Sequence, residues 1–494
     1  MEIWIAFLPI IMIFLTLFVF KMSVVKAGGI SILTAAIIAR SHSNFHLGWK
    51  HIGISTGRGA LIAWIAAYVM FFGIFLFHLM NENGNIKNIG DFFSRITDNR
   101  NWQVMLIVIG LSPIIESASG FGVSLMVITP ILIILGLSRF RAVIVSLISL
   151  LAIPWGALAT GMIIGAGLVD MDPKIMGTWS AILSVPIFLF LFGMAMYYSE
   201  GIKSVKEMAG MIILLSSIFS VVLIATNYYI SVELAGVLAG VCTSLSGFLF
   251  LAVKNKRSGY SVKWKVKEFY QSMIPYLVLT ILIFLTRLIP FLKNFLNNHF
   301  VLDLKLFSFN MPMLYSPGFW LAITCLYTIM RFKIKPVIVK DSLKKTIKQW
   351  IPFYLSTTAF IGMSEIMMAS GMTLSLATSI SHTLGYGFLI LSPFIGFLGG
   401  FLTGSNAGSN AMFIGLQNEI ATQVGVNGKL IASIQNISSS HANMASPSRI
   451  LLASTVFLAG ARENELLRKV ALVALGSTAI AAILTVLFQL IYFQ

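Results

Sequence analysis

The chain has 494 residues, of which 57% are hydrophobic and only 10% charged, and its mean hydropathy is +0.91; no water-soluble core explains so apolar a composition, so it reads as an integral membrane protein. A net charge of +17 would suggest nucleic acid in a soluble protein, but here the basic residues gather in short loops between apolar runs, where they set topology against anionic headgroups, and no nucleic-acid partner is expected. The two cysteines, Cys242 and Cys325, lie in apolar runs and support neither a disulfide framework nor a zinc site.

A bilayer-crossing helix takes about 20 mostly apolar residues. Runs of that kind are predicted near 3–20, 24–39, 59–80, 103–136, 140–168, 180–198, 209–226, 229–252, 271–292, 315–331, 350–370, 384–416, 428–456 and 470–492. They amount to about 12–14 spans, with 103–136 and 384–416 interrupted by polar residues. The first run lacks a basic leader and a small-residue cleavage pattern, so it reads as a retained span rather than a secretion signal. Basic residues cluster at Arg139/Arg141, at Lys203/Lys206, from Lys254 through Lys256, Arg257, Lys263 and Lys265 to Lys267, and from Arg331 to Lys348. The positive-inside rule places all four clusters of this multi-pass chain in the cytoplasm. The third cluster divides the chain into a first half, 1–252, a basic cytoplasmic linker, 253–270, and a second half, 271–494.

Two interruptions at membrane depth carry most of the information. Glu116 is followed by Ser117, Ala118, Ser119, Gly120, Phe121 and Gly122, and the second half carries Thr403-Gly-Ser405-Asn406-Ala-Gly-Ser409-Asn410. Lipid cannot satisfy freed peptide groups, so broken helices are tolerated only where protein or a water-filled cavity does so. Paired Gly-interrupted segments in the two halves of a transporter point to its binding site. Sliding the sequence by 288 residues puts Ser117 on Ser405, Gly120 on Gly408 and Arg141 on Lys429, which suggests a structural repeat. Segments 152–167, with Pro154, Gly156, Gly161, Gly165 and Gly167, and 436–449, with Pro447, are similarly weak helix formers. The four regions 113–124, 152–167, 403–417 and 436–449 are therefore expected to converge on one site. The alternative for each small residue is close helix packing.

Titratable groups inside these regions are costly and tend to face a cavity. Glu116 is either a proton carrier or a neutral carboxyl pinning the first break. Glu365 is either a proton relay or the mark of a span boundary. His441, in a Ser- and Asn-rich stretch, either carries a proton or is a satisfied polar residue in a wet cavity. Arg449 either clamps a carboxylate bidentately or snorkels to the surface. No HExxH, Walker loop, GxSxG or paired Cys/His spacing occurs, so an enzyme is not expected, nor is a cofactor or a metal. No pore-lining repeat or charged ring supports a channel.

Ser112-Pro-Ile-Ile-Glu116-Ser-Ala-Ser-Gly-Phe-Gly122 resembles the Glu-Gly-Ala-Ser-Gly-Phe-Gly signature of the L-lactate permease family. Ser370-Gly371, Leu391-Ser-Pro-Phe-Ile-Gly396 and Phe401-Leu-Thr-Gly-Ser-Asn-Ala-Gly-Ser-Asn-Ala-Met-Phe413, with Gln417 and Ser446-Pro447, are similar to its second-half signature. The resemblance covers nearly the whole chain. It implies an all-α fold with two re-entrant hairpins in two repeats, an elevator-type movement, and symport of a 2-hydroxy-monocarboxylate, L-lactate or glycolate, with a proton across the plasma membrane. Departures stand at Val123-Ser124, at Asn406 where the family often has Asp, at Ala442-Asn443-Met444 where it has Gly-Lys-Met, near Ser149 where an Asn-Thr pair is missing, and at Arg449 just beyond.

The expected substrate ligands are Ser117, Ser119, Gly120, Gly122, Thr403, Ser405, Asn406, Ser409, Asn410 and Arg449, and the expected proton carriers are Glu116, His441 and Glu365. The expected partners are the carboxylate, a proton or sodium, the bilayer and, as an open matter, a second copy of the chain. The competing readings are a carrier of another organic acid or an amino acid, coupled to sodium, and a channel or a membrane sensor without transport.

Overall fold

Long apolar runs can satisfy their peptide groups in lipid only by closing every hydrogen bond within the run. The computed structural model, which describes residues 2–95, 97–120, 122–257, 266–458 and 462–492, is accordingly an all-α membrane protein. Phe121 and residues 258–265 of the expected linker lie outside the described residues. Among the described residues, ten helices are long and apolar enough to cross a bilayer, among them Trp49–Glu82, Arg100–Ser119, Arg139–Leu168, Met372–Thr403 and Glu463–Tyr492. The expected number was higher because some runs fold as helices too short or too polar to qualify. Glu2–Leu17 and Val123–Ile134 are apolar but short, while Gly428–Ala442 and Pro447–Leu458 carry the polar residues of the site. One small element was not foreseen: an antiparallel pair of strands, Val301–Leu304 and Phe309–Pro312, with Val301 opposite Pro312.

The two sequence halves interleave rather than forming separate bodies. Helix Trp49–Glu82 lies along Pro336–Ala369, and small residues set the approach: a Cβ added to Gly59 would stand 2.5 Å from the Gly362 backbone nitrogen. Trp350 Nε1 donates to the Ala67 carbonyl at 2.7 Å within the same contact. A second core runs through both halves and includes Val104, Leu147, Phe188, Ile434 and Val473.

Cross-chain contacts divide the molecule into two faces. Arg100 pairs with Glu200 at 2.8 Å, Arg141 Nη1 donates to the Ser199 carbonyl at 3.4 Å, Lys345 pairs with Glu82 at 2.6 Å, and Arg462 lies 3.6 Å from the centre of the Phe140 ring. These contacts gather the termini around 82–100, 134–141, 199–207 and 345 on one face, with the basic clusters. The opposite face holds Asp172, Glu233, Arg287 and Pro317 around one cavity, and the Asn427 amide donates to Gln489 Oε1 there at 3.1 Å.

Both interrupted segments are hairpins. A Cβ added to Gly136 would lie 2.9 Å from the Arg100 guanidinium, so the segment that enters at Arg100 breaks at Gly120 and returns to the basic face. Ser392 is hydrogen-bonded to Gln417, and Ser381 Oγ donates to Gln423 Oε1 at 3.1 Å, so Phe388–Thr403 and Asn406–Val424 lie antiparallel and open toward the other face. The breaks fall at Gly120 and Gly404, 404 minus 120 or 284 residues apart, so the 288-residue register read from Ser-x-x-Gly is shifted by one helical turn.

Candidate functional site

The first hairpin is broken by chemistry legible in Pro113 and the two glycines. Pro113 has no amide to give to Ile109, and the helix widens into a π turn over Ile107–Leu111 just before it. Gly120 (φ 64°) and Gly122 (φ 71°) then adopt positive φ, and a Cβ on Gly122 would meet the Arg449 guanidinium at 2.6 Å. In the second hairpin Gly404 (φ 61°) ends one helix and Ser405 caps the next, its Oγ accepting from the Gly408 amide at 3.1 Å. The third break is unusual because three non-glycine residues in sequence, Ala157, Leu158 and Ala159, are left-handed. Each costs about 1–2 kcal/mol, which surrounding packing must over-determine.

These breaks meet the 436–449 segment around a cavity of about 60 Å³. A water needs roughly 10–15 Å³ by the same kind of measure, so the space holds a few waters or one small molecule. All four regions singled out in the sequence contribute to the wall: Glu116 and Gly120, then Ile153 through Gly161, then Gly404 to Ala407, then Asn443 and Arg449. Met70 and Phe353, from outside those regions, complete it. Their type and spacing gave no signal in the sequence, since each is one more apolar residue in a span.

The charged pair in the wall is Glu116, 1% exposed, and Arg449, 8% exposed. Glu116 Oε1 accepts from the Gly122 amide at 3.1 Å, and Oε2 accepts from Ser124 Oγ at 2.8 Å. Its carboxyl thus closes the first break across its own glycines, on the amino end of Val123–Ile134, where a negative charge is favoured. Arg449 Nη1 stands 4.0 Å from Glu116 Oε1 and has no hydrogen-bond partner. Beside it, Asn443 is fully buried with neither Nδ2 nor Oδ1 partnered. A buried polar group without a partner costs about 1–3 kcal/mol, so the orphaned Arg449 and Asn443 atoms mark where a polar ligand would be held. Asn443 entered the sequence reading only as a departure from a pattern; its tie to the cavity is tertiary.

Ser405 and Asn406 also line the cavity, but the Asn406 amide is already engaged, donating to Asn436 Oδ1 at 3.0 Å and accepting from Ser439 Oγ at 2.7 Å. The remaining expected ligands lie behind the wall. Ser117 packs on Gly236 with its Oγ unpartnered, and Ser119 turns toward Tyr276. Thr403 Oγ1 bonds within its own turn, donating to the Gly399 carbonyl at 2.8 Å and accepting from the Ser405 amide at 3.1 Å. Ser409 Oγ accepts from Gln435 Nε2 at 3.1 Å, and Asn410 Nδ2 donates to the Gly161 carbonyl at 3.0 Å. The polar face read as ligand is therefore half ligand wall and half the network that holds the hairpin to its neighbours. The reason is helical geometry: Ser409 and Asn410, one turn further on, face Gln435 and Asn436, and only the first turn reaches the cavity.

Two of the expected proton carriers lie outside the cavity wall. Glu365 pairs with Arg58 at 3.4 Å, with Oε1 unpartnered. His441 is buried against Phe188, ring centres 6.3 Å apart, beside the Leu151 backbone.

The arrangement offers one guanidinium, one carboxyl beside it, one free amide side chain and the amino end of Asn406–Val424, all facing a space of molecular size. It fits a small anion bearing a further hydrogen-bonding group. Known proteins agree in class. The family model for L-lactate permease matches residues 2–314 and 304–492. The chain is 24% identical to an L-lactate permease of Halalkalibacterium halodurans, across 99% of this chain and 97% of that one. It is 26% identical to the glycolate permease GlcA of Escherichia coli, across 98% and 95%, and 25% identical to an L-lactate permease of Bacillus subtilis, across 94% and 91%. With ten span-length helices among its described residues and a family match over nearly its whole length, this multi-pass plasma-membrane protein belongs to the L-lactate permease family.

Proposed function

We propose that the chain is a secondary carrier that takes up L-lactate, glycolate or a closely related 2-hydroxy-monocarboxylate together with a proton. The observation that carries this reading is the pairing, in one 60 Å³ cavity, of a single buried guanidinium with a single buried carboxyl, with Asn443 unpartnered at their side. Arg449 binds the substrate carboxylate, and Asn443 hydrogen-bonds the 2-hydroxyl.

Coupling follows from charge. One guanidinium neutralises one anion, and a second carboxylate about 4 Å from Glu116 costs on the order of 4 kcal/mol at a moderate effective dielectric. Substrate therefore binds best when Glu116 carries a proton, and its departure leaves Arg449 to the ionised Glu116. Glu116 keeps its two hydrogen bonds to Gly122 and Ser124, so one side chain both closes the break and senses the bound charge. His441 and Glu365 have no direct part in this scheme. The two hairpins, opening toward opposite faces, serve as paired repeats that carry the site between the two sides in an elevator-like movement.

Counterflow of labelled L-lactate in proteoliposomes tests the proposal. A carrier is accelerated by unlabelled substrate on the opposite side, whereas a channel is not. An inward proton gradient should drive accumulation in the native protein, and Glu116→Gln should abolish that accumulation while retaining exchange. Accumulation driven by a sodium gradient alone, or an unchanged proton response in the variant, rejects the coupling scheme.

A further inference from the structure

A larger cavity, about 380 Å³, opens on the face opposite the basic clusters. It shares Thr160 with the central cavity, at the end of the left-handed turn Ala157–Ala159. Thr160 is thus the side chain the two cavities have in common. The feature that dominates the larger cavity is Arg287, 9% exposed. Its Nη2 donates to Glu233 Oε1 at 2.8 Å, and its guanidinium carbon sits 3.7 Å from the centre of the Tyr315 ring. Ser231 places a buried hydroxyl beside Glu233.

The charge balance of the wall favours an anion. Arg287 and Glu233 cancel, and Asp172 caps a helix by accepting from the Lys174 amide at 2.8 Å. Lys174 and Lys293 line the same cavity and form no ion pair among the described residues. Three cations thus face two anions. Arg287 Nη1 also donates to Thr286 Oγ1, at 3.4 Å, but a guanidinium carries five N–H donors, so donors remain for a carboxylate.

We propose that this cavity is a second carboxylate site, which collects the monocarboxylate from the outer solution and hands it past Thr160 to the central cavity, with Arg287 as its anion ligand. The inference rests on the reading of the protein as a carboxylate carrier. The opposite view is that Glu233 and Arg287 only tie Val232–Arg257 to Val266–Leu288.

Saturation-transfer NMR of L-lactate on the purified full chain in detergent separates the two views. Removing the central ligand with Arg449→Ala should weaken the lactate signal but leave a component that saturates at about tenfold higher concentration. Adding Arg287→Gln should remove that component. The exchange Glu233→Arg with Arg287→Glu, also in the Arg449→Ala background, preserves an ion pair while moving the cation, and it too should abolish the component. Size-exclusion elution confirms that each variant is folded, and the charge exchange keeps the test decisive if Arg287→Gln misfolds. A residual signal that survives the charge exchange, or no residual signal in Arg449→Ala itself, overturns the second site. No lactate signal in the native chain overturns both this proposal and the carrier reading. If Arg449→Ala has no effect and Arg287→Gln removes all binding, the central assignment fails and the outer site stands.

Discussion

Arg449 and Asn443 carry the sharpest expectations because both are buried in the cavity wall with side-chain atoms, Nη1 of the first and both polar atoms of the second, that form no hydrogen bond. Hydrogen bonds to a charged group contribute about 1.5–3 kcal/mol, so Arg449→Ala should weaken lactate and propionate alike by roughly tenfold to a hundredfold, since 1.4 kcal/mol is about tenfold. Arg449→Lys should recover only part of this, because an ammonium cannot reproduce a bidentate contact. Asn443→Ala should act differently. It removes a neutral hydrogen bond of about 0.5–1.5 kcal/mol, so affinity for lactate should fall two- to tenfold while that for propionate, which lacks the hydroxyl, stays level. Equilibrium binding to the two acids checks both predictions, and a parallel loss for both acids in the Asn443 variant would remove the hydroxyl assignment. Glu116, Gly120, Ser405 and Arg449 were legible as site residues from their setting in polar interruptions. Ser117, Ser119, Ser409 and Asn410 shared that setting, and only side-chain direction separates the two groups.

At the scale of the element, the hairpins depend on backbone that few residues adopt. Gly404 is left-handed (φ 61°) and Ser446 and Ser448 crowd its missing side chain, with Ser448 Oγ 2.7 Å from an added Cβ. Gly404→Ala should therefore cost at least the ~1–2 kcal/mol of a left-handed non-glycine residue and lower the melting temperature of the purified protein. A control at Gly425, also left-handed (φ 76°) but with open space around it, should show the backbone cost alone. Equal shifts at both sites would mean that the crowding at Gly404 relaxes freely. Gly400, which has an ordinary helical φ, should be intolerant for another reason, since its Cβ would collide with the Ser439 carbonyl. Glycine and proline told the sequence reader where these breaks lie. Pro154, Gly156 and Gly161 marked 152–167 as weak, but the left-handed residues inside it, Ala157–Ala159, gave no warning of their own, because alanine and leucine are good helix formers and only the tertiary packing holds them otherwise.

For the whole molecule, the consequence is directional: one hairpin opens to the basic face and the other away from it. If the basic face is cytoplasmic, a cysteine placed at exposed Lys206 should react with a membrane-impermeant maleimide only from inside, and one at exposed Asn298 only from outside, once Cys242 and Cys325 are replaced. Labelling of both from the same side would reject the two-faced arrangement. The sequence by itself determined that the chain crosses a membrane many times, where its spans run, and which four stretches are broken, because hydropathy, loop charge and the helix-breaking of glycine and proline are local properties. Its Glu-Ser-Ala-Ser-Gly-Phe-Gly and Thr-Gly-Ser-Asn segments also carried the family. Only the tertiary structure decided that Arg449 meets Glu116, that Asn443 stands unpartnered beside them, that Asn406, Ser409 and Asn410 of the polar hairpin face are bonded to Asn436 and Gln435, and that a second cavity adjoins Thr160. Those relations join residues hundreds of positions apart, and no local pattern in a chain records which of its buried polar groups find partners when it folds.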